Sequence, residues 1–453
     1  MLPRKPLAAP LAIALAAACA PAAADGEIDA IRAEIAAMKQ HYETRIAALE
    51  ARLQEAETRT AVPEPAAQAP ATGGGRMNPD IGLILQGRYA QRDDLAERFI
   101  GGFAPVGGHA EGGGRGFSLD HSELLLSASV DPDWRGHAIL AMADGAVEVE
   151  EAWFQSLGLG NGLTLKGGRF YSGLGYLNEQ HPHAWDFADA PLMYQALFGE
   201  RFSNDGLQLK WLAPTETYLE FGLEAGRGGV VAGEFDGNGV GAWTAFAKLG
   251  GDVGTDNSWR AGLAYLDARP RDRASHWEDA NGVEAETLFG GSSRAWVADF
   301  VWKWAPDGNA RERNFKFQAE YFRRAETGTL SCADNTAALP VAGACAGVSD
   351  AYRTRQDGWY AQGVYQFMPR WRAGLRVDRL DSGTQALGGG FTGVLAPVDY
   401  APERYSLMLD YSPSEFSRFR VQYARDESMP GIDEDQWTLQ YVMSLGAHGA
   451  HAF

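Results

Sequence analysis

The sequence predicts an all-β protein, a sixteen-stranded antiparallel transmembrane β-barrel preceded by a short α-helical coiled coil. Two observations predict the barrel. Apolar and polar residues alternate from residue 81 onward, as in residues 314–321 and 437–445, and this period of two places one row of side chains in lipid and the other in water. Along the chain, short connections between these segments alternate with long ones, as expected for a closed barrel with short periplasmic turns and long external loops.

An export signal is predicted over residues 1–24. Arg4 and Lys5 precede a short apolar stretch, and three alanines at residues 22–24 offer small side chains for cleavage. Cys19 leaves lipidation open as an alternative, because the residues before it loosely resemble a lipoprotein cleavage site. Either route takes the protein out of the cytoplasm.

Residues 25–60 are predicted to form a periplasmic coiled coil. Their apolar residues recur at spacings of three and four, with a stutter between Tyr42 and Ile46. A single amphipathic helix that lies on its own domain is the alternative. Residues 61–80 lose this periodicity and are rich in Pro and Ala, with three glycines at 73–75, so they are predicted to be a linker.

The barrel itself is predicted over residues 81–453. Sixteen alternating segments begin near Ile81, Phe117, Arg135, Val147, Leu163, Gly206, Tyr218, Ala242, Ser258, Arg294, Asn314, Asp357, Trp371, Arg404, Arg418 and Asp435. External loops are predicted at 92–116, 172–205, 228–241, 269–293, 326–356, 380–403 and 427–434, with a short external turn at 144–146. A soluble β-sandwich or propeller is the alternative, and it would bury the aromatic rows in a core.

Composition and charge exclude several classes of protein. Apolar residues make up 45% and charged residues 22% of the 453-residue chain, which is too apolar for intrinsic disorder. After residue 25 no apolar run reaches the length of a transmembrane helix, which excludes a multi-span helical transporter. The formal charge of −19 becomes −21 when the signal peptide removes two positive and no negative charges, and this argues against a nucleic-acid partner.

The sequence predicts no enzymatic activity and no cofactor. It contains no His-Glu-x-x-His motif and no nucleophile elbow. The glycines at 112–114 lie in a predicted external loop, so they are not a phosphate-binding loop between a strand and a helix.

The sequence resembles Gram-negative outer-membrane porins of the general or sugar type in three features. These are the succession of sixteen strands over residues 81–453, the long third external loop and the terminal Phe453. The coil ahead of the barrel is similar to that of sucrose-type sugar porins, although residues 444–453 depart from the usual tail. The resemblance implies passive diffusion of small hydrophilic solutes or ions through the outer membrane, with the coil in the periplasm. It further implies a homotrimer embedded in outer-membrane lipid, and recognition of Phe453 by the barrel-insertion machinery.

Two other functions remain open. The protein is alternatively a structural tether, in which the barrel anchors a coil that holds a partner. A metal-linked or energy-coupled uptake receptor is a further alternative, although that class needs a globular plug domain and only a coil and a linker precede the first strand.

Sixteen strands leave a water-filled lumen, so the polar row is predicted to line it. Within each strand, residues in phase with the polar row point inward, and we call this rule strand parity. It places charges inward at Arg88, Lys166, Lys210, Glu220, Glu224, Arg260, Asp299, Lys316, Glu320, Arg372, Arg376, Asp378, Arg404, Asp410, Arg418 and Arg420. The third external loop adds Glu179, Asp186, Asp189 and Glu200, and the resemblance implies that this loop folds into the lumen. The predicted pore-lining residues are Arg88, Glu179, Asp186, Asp189, Arg372, Arg376, Arg404, Arg418 and Arg420. The alternative is that these charges are merely solvated or paired.

Histidines and cysteines give two further signals. His181 and His183 lie beside carboxylates in the third loop and are candidate metal ligands, as is the pair His448 and His451, but no complete ligand set is visible, so no metal site is predicted. Cys332 and Cys345 are the only cysteines that remain after cleavage behind residue 24, and they are predicted to form a disulfide in an oxidising compartment.

Overall fold

The structure, a computed structural model, describes residues 39, 79–95, 98–103, 114–143, 145–233, 237–333 and 342–446. The chain divides into two units, Met1–Gly74 and Gly75–Phe453. Within the first unit only Lys39 is described, and it is helical and exposed. The predicted signal peptide, the rest of the coil, nearly all of the linker, the tail histidines and Phe453 lie outside the described residues.

The described part of the second unit is built almost entirely of β-strands. In chain order they are β1 (Asp80–Gln91), β2 (Gly116–Leu119), β3 (Ser122–Ser129), β4 (Trp134–Ala143), β5 (Ala146–Ser156), β6 (Leu163–Tyr171), β7 (Ser203–Leu212), β8 (Tyr218–Gly226), β9 (Ala242–Val253), β10 (Asn257–Ala268), β11 (Arg273–Glu278), β12 (Glu284–Trp304), β13 (Asn314–Cys332), β14 (Ser349–Met368), β15 (Trp371–Leu387), β16 (Glu403–Ser414), β17 (Ser417–Met429) and β18 (Ile432–Gly446). Two short helices, α1 (Leu192–Phe198) and α2 (Gly229–Ala232), and three 3-10 turns at Pro182–Ala184, Pro306–Gly308 and Gly389–Phe391 complete the described elements. No helix among the described residues is long and apolar enough to cross a membrane.

The strands form one closed antiparallel barrel with sixteen positions around its circumference. Closure comes from β1, which pairs with β18 on one side and with β2 and β3 on the other. β2 and β3 share one position, and β10 and β11 share another, because both of the latter pair with β12. The predicted fold class and strand number are confirmed.

Two of the predicted external loops are largely strand instead. Residues 269–293 contain β11 and the first part of β12, and the segment 326–356 contains the ends of β13 and β14. Their pairing extends outward to Thr287 opposite Cys332 and Ser331 opposite Ser349. The sequence pattern missed these extensions because strands that leave the lipid keep their backbone hydrogen bonds but no longer need an apolar outer row.

The outward face of the barrel is apolar. Alternate residues of the strands expose large apolar side chains, for example Leu207, Leu209, Leu407 and Leu409. Aromatic pairs flank this apolar face: next to the short turns stand Trp134–Phe154, Trp211–Phe221, Trp302–Phe315 and Phe419–Tyr441, and toward the external ends stand Tyr89–Phe117, Tyr265–Trp296 and Tyr423–Trp437. An apolar band between two aromatic rows is typical of a barrel in a membrane.

The third external loop folds into the barrel. We call residues 172–202, between β6 and β7, the inner loop. Its helix α1 follows Pro191 and ends at Gly199, whose left-handed backbone (φ 65°) lets its N–H reach the carbonyls of Tyr194 and Gln195. The apolar residues of α1, among them Leu192 and Phe198, pack in one buried core with side chains from the walls β9, β10 and β12–β15.

Candidate functional site

Wall carboxylates hold the backbone of the inner loop. Buried Glu224 on β8 accepts hydrogen bonds from the Ser172 hydroxyl (2.6 Å) and the Gly173 N–H (2.8 Å). Buried Glu320 on β13 accepts the N–H of Leu177 (3.0 Å) and the hydroxyl of Tyr194 (2.8 Å). Each of the two wall residues therefore ties the inner loop to the barrel through more than one hydrogen bond.

A basic wall faces the middle of the inner loop. We use this name for Arg372, Arg376, Arg404, Arg418 and Arg420 on β15–β17. Asp186 lies 3.1 Å from Arg372, and Asp189 lies 3.0 Å from Arg376 and 2.9 Å from Arg404. Burial alone would raise the pKa of Asp189, but Arg376 and Arg404 outweigh it and hold that pKa well below its usual value. The loop acids are therefore charged in this contact.

The basic wall also binds carbonyl oxygens of the loop. Arg404 donates to Ala190 (2.6 Å), Arg418 to His183 (2.8 Å) and Arg420 to Trp185 (2.9 Å). Arg420 is only 2% exposed. These arginines face the inside of the barrel, as strand parity predicts, but the loop covers much of their surface.

The other predicted pore-lining residues lie apart from this contact. Glu179 forms an ion pair with Lys248 on β9. Arg88 on β1 lies 3.8 Å from Asp120, and Gln440 on β18 contacts both Asp120 and Arg420, so Arg88 borders the basic wall without reaching the loop acids. The predicted acid–arginine contact thus consists of Asp186 and Asp189, without Glu179.

Two cavities border the loop acids from opposite ends of the barrel. One of about 410 Å³ is lined by Asp186, Lys316 and Arg372 together with residues of the short turns, such as Asp256. A smaller one is lined by Asp189 and Arg404 together with residues of external segments. The ion pairs of Asp186 and Asp189 therefore lie between a space at the end with the short turns and a space at the end with the long loops.

A second charged surface faces the inner loop from β3 and β5. We call Glu123, Glu150 and Glu151, with His121 beside them, the acidic wall. A bulge in β5 leaves Glu150 without a partner on β4, so Glu150 and Glu151 both turn inward although they are consecutive. The break between β2 and β3 similarly directs Asp120 and His121 to inward partners, Arg88 and Glu150. Strand parity missed the acidic wall because parity fails wherever alternation is interrupted.

The two loop histidines meet this acidic wall. His181 Nδ1 lies 3.2 Å from Glu123 and 3.5 Å from Glu150, while its Nε2 lies 3.2 Å from Glu151. His183 Nδ1 lies 3.1 Å from the other oxygen of Glu123. Burial would lower the pKa of His181, but the three carboxylates outweigh it and raise that pKa well above its usual value.

A disulfide joins Cys332 at the end of β13 to Cys345, with their Cα atoms 5.6 Å apart. The bond lies in a small buried core outside the barrel lumen that includes Phe289, Tyr352 and Phe391. It therefore belongs to the external extension of β12–β14 and not to the contact of the inner loop with the walls.

Comparison with known proteins identifies one family. The chain is 32% identical over 405 residues to an uncharacterized protein of Aquifex aeolicus, with 83% of this chain and 80% of that protein covered. The chain belongs to the same family. No protein-family model matches it.

Solved structures of outer-membrane proteins are similar at low identity. OmpT expressed in the outer membrane of Vibrio cholerae is 10% identical, with 82% of this chain and 99% of that chain covered and a TM-score of 0.49. OprB of Pseudomonas putida is 14% identical, with 81% and 94% covered and a TM-score of 0.46. The outer-membrane channel DcaP of Acinetobacter baumannii is 12% identical, with 81% and 96% covered and a TM-score of 0.46.

Proposed function

We propose that the protein is an outer-membrane channel for the passive diffusion of small hydrophilic solutes or ions. One observation carries the proposal: the ion pairs of Asp186 and Asp189 with the basic wall lie between a cavity at the periplasmic end and a cavity at the external end. A solute that crosses the barrel would meet its narrowest section at this contact. The apolar outer face between two aromatic rows supports a location in the membrane.

The charges at this section orient polar solutes more than they select between cations and anions. Asp186 and Asp189 are compensated by Arg372, Arg376 and Arg404, so both signs face each other across a few ångströms. Charges more than about 8 Å away are largely screened at physiological salt, so the net charge of the chain has little influence here. We therefore expect weak ion selectivity and a transverse field that orients solute dipoles.

Single-channel recording in planar bilayers under a salt gradient tests this proposal. The wild-type protein should conduct. The double variant Arg418→Gln/Arg420→Gln should move the reversal potential toward cation selectivity, and Asp186→Asn/Asp189→Asn should move it toward anion selectivity. Arg425, which pairs with Asp433 and Asp435 at the external end of the barrel, gives a control in Arg425→Gln, for which we expect no shift.

A bilayer that stays closed with folded protein would instead favour the structural tether. If the channel conducts but neither double variant shifts the reversal potential, the basic wall and the loop acids do not border the permeation path.

We also propose a homotrimer, as the porin resemblance implies. Native mass measurement in mild detergent should give three chains per particle. A monomer at every protein concentration would contradict this proposal.

A further inference from the structure

We propose that the contact between the acidic wall and the inner loop binds one divalent transition-metal ion, with His181, Glu123 and Glu150 as ligands and His121 as the fourth. This site is separate from the proposed permeation contact at the basic wall. It rests on the arrangement of side chains and does not depend on whether the barrel conducts.

At this contact three buried polar atoms lie close together, and none of them has a hydrogen-bond partner. His181 Nδ1, Glu123 Oε2 and Glu150 Oε2 are buried and have no hydrogen-bond partner, and Glu123 is completely buried. The nitrogen lies 3.2 Å from the Glu123 oxygen and 3.5 Å from the Glu150 oxygen. Ligands about 2.0–2.1 Å from a tetrahedral zinc ion are separated by about 3.3 Å, so these distances leave room for an ion between them.

His121 faces the other oxygen atom of each of the two carboxylates and is the side chain available to complete the donor set as a fourth ligand. Ligand atoms of His121, Glu123 and Glu150 all lie within 4.8 Å of one another. His121 Nε2 is 2.7 Å from Glu150 Oε1 and 3.7 Å from Glu123 Oε1. Two imidazoles and two carboxylates form a donor set suited to Zn²⁺ and its first-row neighbours, whereas Ca²⁺ and Mg²⁺ prefer oxygen alone.

The surrounding groups orient the ligands as they do at metal centres. Glu151 Oε2 lies 3.2 Å from His181 Nε2. When His181 donates its Nε2–H to Glu151, the lone pair of Nδ1 points toward Glu123 and Glu150. At zinc sites, a carboxylate commonly accepts a hydrogen bond from the ring nitrogen that does not bind the metal, and this bond orients the histidine. His183 holds the other oxygen of Glu123, and the Tyr171 hydroxyl donates to Glu150 Oε1 (2.7 Å).

Charge favours a dication at this position. Glu123, Glu150 and Glu151 bring three negative charges, and Arg201, which contacts Glu150, compensates one of them. A divalent ion neutralises the remaining two. Buried charges are stable only when they are paired or bind a metal. Without a metal, a proton on His181 compensates part of this charge, and a divalent ion on Nδ1 would replace that proton.

The backbone is built to gather these side chains. The bulge at Glu150 turns two consecutive glutamates inward, and the interruption between β2 and β3 turns His121 inward beside them. Bulges interrupt a ladder and are often found where a side chain must be re-aimed. The bulge in β5 and the break between β2 and β3 thus direct side chains to the same place inside the barrel.

Zinc binding by the full-length, tag-free protein tests the proposal. The protein is purified in detergent, stripped with EDTA, and titrated with Zn²⁺ by calorimetry, with the bound metal counted after dialysis. We expect one Zn²⁺ per chain. X-ray absorption of the zinc-loaded protein should show nitrogen and oxygen ligands with imidazole scattering and no sulfur.

Variants locate the ion. His181→Ala should abolish measurable binding, and Glu123→Gln provides a second ligand variant that keeps the side-chain volume. Glu151→Gln should weaken affinity on the order of 10- to 100-fold, because it alters only the orienting carboxylate. His276→Ala is the matched control, since His276 lies 2.5 Å from Glu284 in a histidine–glutamate pair elsewhere. Each variant is checked for the heat-modifiable gel migration of a folded barrel.

Three results would overturn the proposal. One is folded wild-type protein that takes up no Zn²⁺ at about 100 μM, far above the dissociation constants of structural zinc sites. A second is a zinc stoichiometry that His181→Ala and Glu123→Gln leave unchanged. Loss of the ion in His448→Ala/His451→Ala instead would assign it to the tail and also overturn the proposal.

Discussion

The basic wall and the acidic wall hold the same loop by opposite means. On β15–β17 the arginines stand at alternate positions and meet Asp186 and Asp189 of the loop. On β3 and β5 the loop supplies His181, and the wall supplies the carboxylates. The inner loop therefore carries negative charge toward one wall and imidazole toward the other.

The difference lies in the backbone. The basic wall uses regular pairing, in which Asp410 stands directly opposite Arg420 and Arg372. The acidic wall depends on a bulge and a strand interruption. Regular strands place charges along a wall, whereas irregular strands concentrate several of them at one location.

Removal of Asp410 should have the largest effect on stability. Asp410 is completely buried and lies 2.8 Å from Arg420 and 2.5 Å from Arg372, so Asp410→Ala leaves two guanidinium groups without their shared partner. We expect a loss of about 3–5 kcal/mol in the free energy of unfolding, measured by urea denaturation in lipid vesicles.

Asp435→Ala is the control for this variant, because Asp435 pairs with Arg425 on the exposed surface. Exposed pairs contribute little, so this variant should unfold as the wild type does. Equal unfolding of both variants would mean that the basic wall is not a buried network.

Deletion of Glu150 should act on the acidic wall without preventing barrel formation. Val149 pairs with Leu140 and Glu151 with Ile139, so the deletion makes the ladder of β4 and β5 regular. Arg201 then loses a buried partner, at a cost of about 1–3 kcal/mol. We expect a heat-modifiable barrel whose inner loop is cleaved faster by protease.

Glu148→Ala, an exposed position on the same strand, should leave cleavage of the inner loop unchanged. Barrels that fail to form after deletion of Glu150 would show that the bulge is needed for closure itself.

Loss of the disulfide should have the smallest effect on the barrel, because it lies outside both walls. Closing a loop of this length stabilises by roughly 3 kcal/mol on the chain-entropy model, but the gain is confined to the external extension. The double variant Cys332→Ser/Cys345→Ser should keep the urea midpoint of the barrel and expose the segment between these residues to protease. A lower midpoint would mean that the extension and the barrel unfold together.

The alternation of apolar and polar residues suffices to predict the barrel and the basic wall, but not the acidic wall. It places Arg376, Arg404 and Arg420 inward and locates most strand starts, because period-two patterning is enforced by lipid on one side. It misses the starts of β12 and β14, which lie beyond the lipid. It does not find Glu123, Glu150 or Glu151, since a bulge shifts parity by one residue without a distinctive residue type. The sequence signal that could have revealed the bulge is the pair of adjacent glutamates, Glu150 and Glu151, in a strand that otherwise alternates.

The partners of the loop residues could not be predicted from the sequence. Glu179 pairs with Lys248 and not with an arginine, because its partner depends on where the loop crosses the lumen. That path is fixed by the apolar packing of α1 and by backbone contacts to Glu224 and Glu320, which involve residues far apart in the chain.

The unequal strand lengths give the barrel a slanted mouth. β3–β6 have 8–11 residues, about what a tilted strand needs to cross a membrane, whereas β12–β14 have 19–21. The surplus of about ten residues, at roughly 3.3 Å each and tilted by about 45°, raises one rim some 20 Å above the other. This tall rim has its own apolar core around Phe289 and Tyr352, so packing stabilises the strands beyond the length that crosses a membrane. Beside the acidic wall, β3 and β5 have no such surplus length, so the strands of the barrel wall are shorter there than at β12–β14.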